Sequence, residues 1–592
     1  MTDTRRTLLL VAFFMSLLML WDHWNVTHGG QSMFAPQAQK TAPAKSAAAG
    51  ADGAASAAGV PGTATTAAAV PAGAASAPKA EQVVVSTDVV KATLDTRGGE
   101  IVGLDLLKYQ EADNHSELLR QAGRLIGRSA EPPPQRDVRI FDTHAPRFYA
   151  TQTGLTSQDL PHHTTVMTLV TPERELAPGK DTLVLRFESP EMAGVKLVKT
   201  YTFHRGSYAI GVSHEVVNHS GAPVSPQLYL QLVRDGHTPP SGYLEGPSSY
   251  TGPALYHNDR FAKVDFPDLD KGKERDYVDP NAAEREGWIA MVEHYFASAW
   301  ILPQNAERMY SVNRLDASAN GGVVTYGIAM RTPLGAIAPG ASKSVDATLF
   351  AGPQEEHLLE PLAPHLEQVK DYGRLKIIAQ PLFWLLDKLH TVIGNWGWSI
   401  VALVVVLKIA FYGLNASAYR SMAKMKVVAP RIQELRERYK DNPQQMQAET
   451  MKIYREEKVN PLGGCFPILV QMPIFIALFT VLTSSAEMRG APWILWIHDL
   501  SIMDPYAILP VLMTLSSLAL TAMNPAPADP VQARLMWIMP LAFSVALFAF
   551  PSGLVLYWLS NNILTFAQQR LIQRQINGPK AGATEAKVVK TK

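Results

Sequence analysis

Three patterns of hydrophobic and polar residues follow one another along the chain, and each predicts a different kind of structure. The first is a short apolar run, Leu8 to Trp21, behind Arg5 and Arg6. A basic flank before an apolar core fits a cleaved signal peptide or an uncleaved signal anchor. Trp21 and Trp24 read as an interfacial belt and no small-x-small cleavage site follows directly, which favours an anchor over residues 1–28. Residues 29–80 are rich in Ala, Pro, Gly, Ser and Thr. Such a stretch cannot bury enough apolar surface to fold and reads as a disordered linker. As a coil of about 50 residues it spans on the order of 40 Å.

The second pattern, over residues 81–370, has a period of two. In TLVLRFE, Leu183, Leu185 and Phe187 share one face; in QLYLQLV, Leu228, Leu230 and Leu232 do the same. YTFHRGSYAIGVSHEV reads as two such runs with Gly206-Ser207 at the bend, a hairpin. Many short strands with Gly and Pro between them predict a large all-β sandwich domain.

The third pattern begins near residue 371. Residues 371–395 mix Arg374, Lys376, Asp387 and Lys388 with Ile377, Leu382, Phe383 and Leu386, as expected of an amphipathic interfacial helix bent at Pro381. Near-continuous apolar runs then predict five spanning helices within residues 396–573: Trp398 to Ala418, Leu462 to Leu482, Pro505 to Met523, Leu535 to Phe550 and Leu554 to Phe566. Pro551-Ser552-Gly553 supplies the turn that splits the last two. Between the first two spans, residues 419–460 read as a hairpin of two helices joined at Asp441-Asn442-Pro443.

Charge sets the orientation. The loop from Tyr419 to Asn460 carries ten Lys and Arg, the loop from Ser484 to Asp504 only Arg489, and the tail, 574–592, is again basic. Cytoplasmic loops hold the excess of basic residues, so both termini are expected inside and the β domain outside. Arg420, Lys424, Lys426, Arg431 and Arg436 on the basic loop read either as solvated topology signals or as contacts for an incoming chain or a ribosome.

Composition removes other readings. The chain has 592 residues, 18% charged and 47% hydrophobic, with a net charge of +1, which suggests no nucleic-acid partner. The single cysteine, Cys465, makes no internal disulfide, and no Cys/His cluster has zinc-ligand spacing. A near-match to a phosphate loop, Gly335 to Ser344, fails because Ala341 stands where lysine is needed. His162, His163, His204, His214 and Glu215 supply acid/base or metal-ligand chemistry in principle, but on strands such histidines are mostly structural. No cofactor is therefore expected.

One residue breaks the third pattern. IVALVVVLKIAFYGL, Ile400 to Leu414, is apolar all round except at Lys408. On a straight helix Lys408 lies twelve residues before Arg420, roughly 18 Å, too far for its stem to reach the interface. A lysine at mid-membrane depth costs on the order of 2.5–3.5 kcal/mol and by default marks a function. Gln471, Ser560, Asn561 and Asn562 are further polar residues in later spans. Singly they are interhelical hydrogen bonds; together with Lys408 they line a hydrated groove.

At NPLGGCFPILVQMPIFIALF (Asn460 to Phe479), PWILWIHDLSIMDPYAILP (Pro492 to Pro510) and FPSGLVLYW (Phe550 to Trp558), the sequence resembles the YidC-type membrane protein insertases, the family that includes the mitochondrial Oxa and chloroplast Albino proteins. The resemblance implies a polytopic α-helical membrane protein, an anchor plus a five-helix insertase core, with a large periplasmic β-supersandwich. It implies a groove closed to the periplasm and open to cytoplasm and lipid, with Lys408 at the position where the family most often has arginine. Gly413 stands where proline would follow the tyrosine. The candidate groove set is Lys408, Gln471, Tyr557, Ser560, Asn561 and Asn562. The implied partners are nascent membrane proteins with short translocated segments, the lipid bilayer and the Sec translocon; no nucleotide is implied. Two other readings stay open: a small-molecule transporter, against which the lack of internal repeats of the spans counts, and a membrane-anchored carbohydrate-binding or mutarotase-like protein.

Overall fold

The computed structural model describes residues 80–111, 135–144, 146–238, 250–274, 277–315, 323–439, 442–457, 466–524 and 530–576. The predicted anchor, most of the linker, Cys465 and the tail beyond Ile576 lie outside the described residues.

The period-two region forms two antiparallel sheets. The eight-stranded sheet runs β1 (Gln82–Ser86), β2 (Val90–Asp95), β3 (Glu100–Gln110), β4 (Asp137–Asp142), β5 (Tyr149–Leu155), β10 (Gln227–Asp235), β16 (Thr325–Pro333), β15 (Met309–Leu315). The nine-stranded sheet runs β12 (Arg260–Lys263), β11 (Gly252–His257), β13 (Trp288–Val292), β14 (Phe296–Ile301), β17 (Ser342–Pro353), β9 (Ala209–Asn218), β8 (Val195–His204), β7 (Thr182–Glu188), β6 (Thr168–Leu169). Alternation along β7 buries Leu183, Leu185 and Phe187 as its spacing predicts. β8 and β9 form the predicted hairpin, with Gly206 at a φ of 71° that a side chain rarely adopts. β10, between β5 and β16 in the middle of its sheet, differs from an alternating strand: Tyr229, Gln231 and Val233 are buried as well as the three leucines, so both of its faces are covered.

The sheets pack face to face, and one hydrophobic cluster takes residues from both, among them Leu94, Ile101 and Leu104 against Leu185, Tyr201 and Ile210. Polar groups cross the same gap. Lys199 on β8 donates to Glu100 Oε1 at 2.5 Å and to the carbonyls of Gly98 (2.6 Å) and Thr153 (3.0 Å). Burial pushes the Lys199 ammonium down and the Glu100 carboxyl up from their ordinary values, and their mutual attraction opposes both shifts.

The helical region comprises α1 (Lys376–Ile393), α2 (Trp396–Ala410), α3 (Tyr412–Arg438), α4 (Pro443–Glu456), α5 (Phe466–Ser484), α6 (Ile508–Met523), α7 (Pro530–Leu547) and α8 (Ser552–Ile576). α1 continues through Pro381 and leaves Ile377, Trp384 and Val392 exposed while burying Leu382, Phe383 and Leu386. Asn442 caps α4 by accepting from the Gln445 amide, with Pro443 in the first turn. Leu382 and Phe383 join Leu403, Val404, Leu478, Val481, Met513 and Tyr557 in a second hydrophobic cluster, so α1, α2, α5, α6 and α8 pack together.

The predicted first span, Trp398 to Ala418, is corrected. Phe411 leaves helical geometry (φ −94°, ψ 12°), and α2 and Tyr412–Met425 of α3 meet at 68°. Gly413, a poor helix former, sits just past the break. Among the described residues no single helix is long and apolar enough to cross a membrane; this bent pair qualifies by length and composition.

Candidate functional site

The break places Lys408 in the last turn of α2, and this changes the argument made for a straight helix. A helix C-terminus in general favours a cation over an anion. Its Nζ donates to Thr565 Oγ1 at 2.8 Å, and Thr565 Oγ1 donates in turn to the Asn561 carbonyl at 2.6 Å. The Tyr419 hydroxyl also hydrogen-bonds Thr565. Thr565 is neutral, and among the described residues no carboxylate lies within ion-pair distance of Lys408.

A small void of about 10 Å³ adjoins the ammonium, lined by Leu407, Lys408, Asn415, Gln471, Tyr557 and Asn561. That is room for about one water. Gln471 Nε2 reaches the buried Tyr557 hydroxyl at 3.5 Å, a long contact. Of the six groove candidates, Lys408, Gln471, Tyr557 and Asn561 come together. Asn562 faces elsewhere and donates to Ser516 (3.0 Å) and Ser517 (2.8 Å) on α6; Ser560 is buried outside the void.

Sequence reasoning missed Asn415, Tyr419 and Thr565. Asn415 and Tyr419 follow Lys408 by seven and eleven positions, and Thr565 follows Asn561 by four. The last is a same-face interval within α8 and was an available signal; the first two span the break at Phe411, so spacing along a straight helix gave no guide to them.

On the basic hairpin, Arg420, Lys424 and Arg431 are exposed, with Arg431 Nη1 2.6 Å from Glu457 Oε1. Lys426 and Arg436 lie on α3, with side chains outside the described set. The β-domain histidines do not assemble into one centre. His163 Nδ1 contacts Tyr229 OH at 2.5 Å, His214 Nε2 contacts Thr153 Oγ1 at 3.0 Å, and exposed His204 borders a cleft of about 550 Å³ with Thr202, Tyr256, Glu286 and Asp346. The Tyr256 ring packs against Trp288 (6.0 Å, nearly parallel) and His365 (5.0 Å, tilted).

Comparison with known proteins covers both regions. Residues 82–385 match a family model described as the YidC periplasmic domain, and residues 388–580 one described as the 60Kd inner membrane protein. A membrane protein insertase YidC of Cupriavidus necator is 48% identical over 583 residues, 98% of this chain and 99% of that one. The chain belongs to the YidC family. A second YidC insertase, from Burkholderia vietnamiensis, is 50% identical over 583 residues, again 98% and 99% of the two chains. A YidC insertase crystal structure with its first transmembrane domain resolved aligns with 83% of this chain and 92% of its own, at 16% identity and a TM-score of 0.38. The two sheets fall within the periplasmic-domain match and α2–α8 within the inner-membrane-protein match, while α1 straddles the boundary between them. YidC proteins are insertases rather than enzymes, so the site is to be understood through binding and transfer, not covalent chemistry.

Proposed function

We propose that this chain inserts newly made proteins into the inner membrane through the polar site around Lys408. α2 with the start of α3 up to Ala418, α5, α6, α7 and α8 are the five spans of the core, residues 396–573, with 371–395 lying at the outer interface, 81–370 in the periplasm and 1–28 as anchor. Both termini and the 419–460 hairpin are cytoplasmic, where the hairpin's basic residues meet an incoming chain or the ribosome.

The observation that carries this reading is an ammonium held on one neutral hydroxyl at the junction of α2, α3, α5 and α8. A polar segment crossing bare lipid loses its hydration with nothing in return. An acidic segment entering beside Lys408 takes over the bond now made by Thr565 and gains an ion pair. The present void holds about one water, so entry requires the helices around it to part. The substrate's apolar segment then leaves sideways into lipid, and this transfer, at about 25 cal/mol per Å², drives the step without nucleotide. Lysine attracts a carboxylate as a point charge and lacks arginine's planar fork. Small substrates with short translocated segments need this chain alone; larger ones are handled with the Sec translocon.

The test is insertion of a single-span substrate by the full-length protein in liposomes. Lys408→Arg retains activity within about threefold, and Lys408→Ala loses tenfold or more, about 1.4 kcal/mol or above. Equal insertion by all three versions would remove Lys408 from the mechanism.

A further inference from the structure

The β domain and the helical region meet at one buried charge. Lys370 follows the last turn of the β domain, Leu366–Val369, whose Leu366 and Val369 belong to the β core. Two residues later Tyr372 is already part of the helical cluster. Lys370 thus stands on the border of two cores, and its side chain is 0% exposed.

Its Nζ is 2.7 Å from Oε1 of Glu487, itself 9% exposed, on the turn Ala486–Met488 that follows α5. The same Nζ lies 3.5 Å from the centre of the Phe383 ring on α1 and 5.6 Å from that of Tyr372. One ammonium therefore ties the β domain, α1 and the end of α5. Two further contacts flank it. His294 Nε2 meets the Thr483 carbonyl in the last turn of α5 at 2.8 Å. Arg489 donates to the Gln110 carbonyl at the end of β3 (2.5 Å) and lies 5.1 Å from the Tyr295 ring and 5.4 Å from that of Phe296.

A pair this deeply buried differs from a surface salt bridge. Removing one partner leaves an uncompensated charge, whereas replacing both by apolar side chains is close to neutral. The two halves are unequal here. Without Glu487 the ammonium keeps the faces of Phe383 and Tyr372. Without Lys370 the carboxylate keeps no hydrogen-bond or ion-pair partner among the described residues, where its Oε2 already lacks a hydrogen bond. Glu487 sits on the turn directly after the helix that serves the site: α5 runs back from Ser484 to Gln471, which lines the void beside Lys408.

We propose that Lys370 is a positioning residue for insertion: paired with Glu487 against Phe383, it pins the β domain to the C-terminal end of α5 and so fixes where α5 holds Gln471. This rests on the insertase reading above. It also gives the periplasmic domain a mechanical part in a reaction at the far end of α5.

The test compares Lys370→Met, Glu487→Met and the double variant in the full-length protein, reading insertion into liposomes and amide hydrogen exchange across residues 485–491. Lys370→Met is expected to lower the insertion rate at least tenfold and to speed exchange at least tenfold. Glu487→Met has a smaller effect on both, and the double variant returns to within about threefold of the native protein. Native insertion by Lys370→Met, a lowered rate without faster exchange, or a double variant as impaired as Lys370→Met would each overturn the proposal. If Lys370→Met does not fold, the order of Glu487→Met and the double variant decides. Native protein that inserts nothing would instead sink the insertase reading, while the exchange measurement still decides whether Lys370 is the pin.

Discussion

Lys199 in the β domain and Lys408 in the helical region are both lysines drawn out of water, and they are treated in opposite ways. An ammonium has three donors. Those of Lys199 meet three acceptors, one of them the Glu100 carboxylate, and its side chain is 0% exposed. Lys408 meets the single neutral oxygen of Thr565. In the first case charge and hydrogen bonds are closed within the fold, and the residue is part of the structure. In the second, no carboxylate among the described residues answers the charge. Burial alone therefore does not distinguish the two lysines; the partners each one finds do.

The comparison breaks first at Lys199. Lys199→Met leaves Glu100 buried without its cation and is expected to cost the β domain about 3–5 kcal/mol, read from the denaturant midpoint of its unfolding. A loss below about 1 kcal/mol would mean that the closed arrangement contributes little.

Acid sharpens it next. Burial holds His163 neutral, its pKa lowered to about 3, and His214 well below its ordinary value. Because the folded values lie below the unfolded one near 6.5, the unfolded chain binds more protons. Stability is therefore complete above about pH 6.5 and falls as the pH drops toward 3, by up to about 1.4 kcal/mol per pH unit for each histidine. His163→Gln should flatten that slope; an unchanged slope would show that His163 takes up no proton on unfolding.

Lys408→Met should behave as the converse of Lys199→Met: stability unchanged or raised, because an uncompensated charge is removed, while insertion falls tenfold or more. A destabilised Lys408→Met variant would make this lysine structural after all. Smallest is Arg431→Ala on the exposed hairpin, whose ion pair with Glu457 is open to water; its stability effect should stay below about 0.5 kcal/mol. A larger effect would show that the hairpin is held by more than its surface charges.

How much of this was legible in the sequence depended on whether the signal was periodic or three-dimensional. The β7 strand and the β8–β9 hairpin followed from spacing and from Gly206. The separation of α7 from α8 followed from Pro551-Ser552-Gly553. The double burial of β10 did not, since both of its faces are covered and even its polar Gln231 is hidden. The break at Phe411 was hidden within an unbroken apolar run, with Gly413 as its only local sign. Lys408 stood out as a charge among aliphatics, yet its partner, Thr565, is one threonine on a helix 157 residues away, and only folding shows that they meet. Asn562, equally polar in the sequence, is turned by one residue onto α6 and away from the ammonium.

The central claim is that Lys408 acts on a substrate through its uncompensated charge. The most direct measurement is a double comparison: insertion of one short substrate carrying Asp or Asn in its translocated segment, by the native protein and by Lys408→Met. The account predicts faster insertion of the Asp substrate by the native protein and a ratio near one for Lys408→Met. The same ratio in both proteins would contradict it.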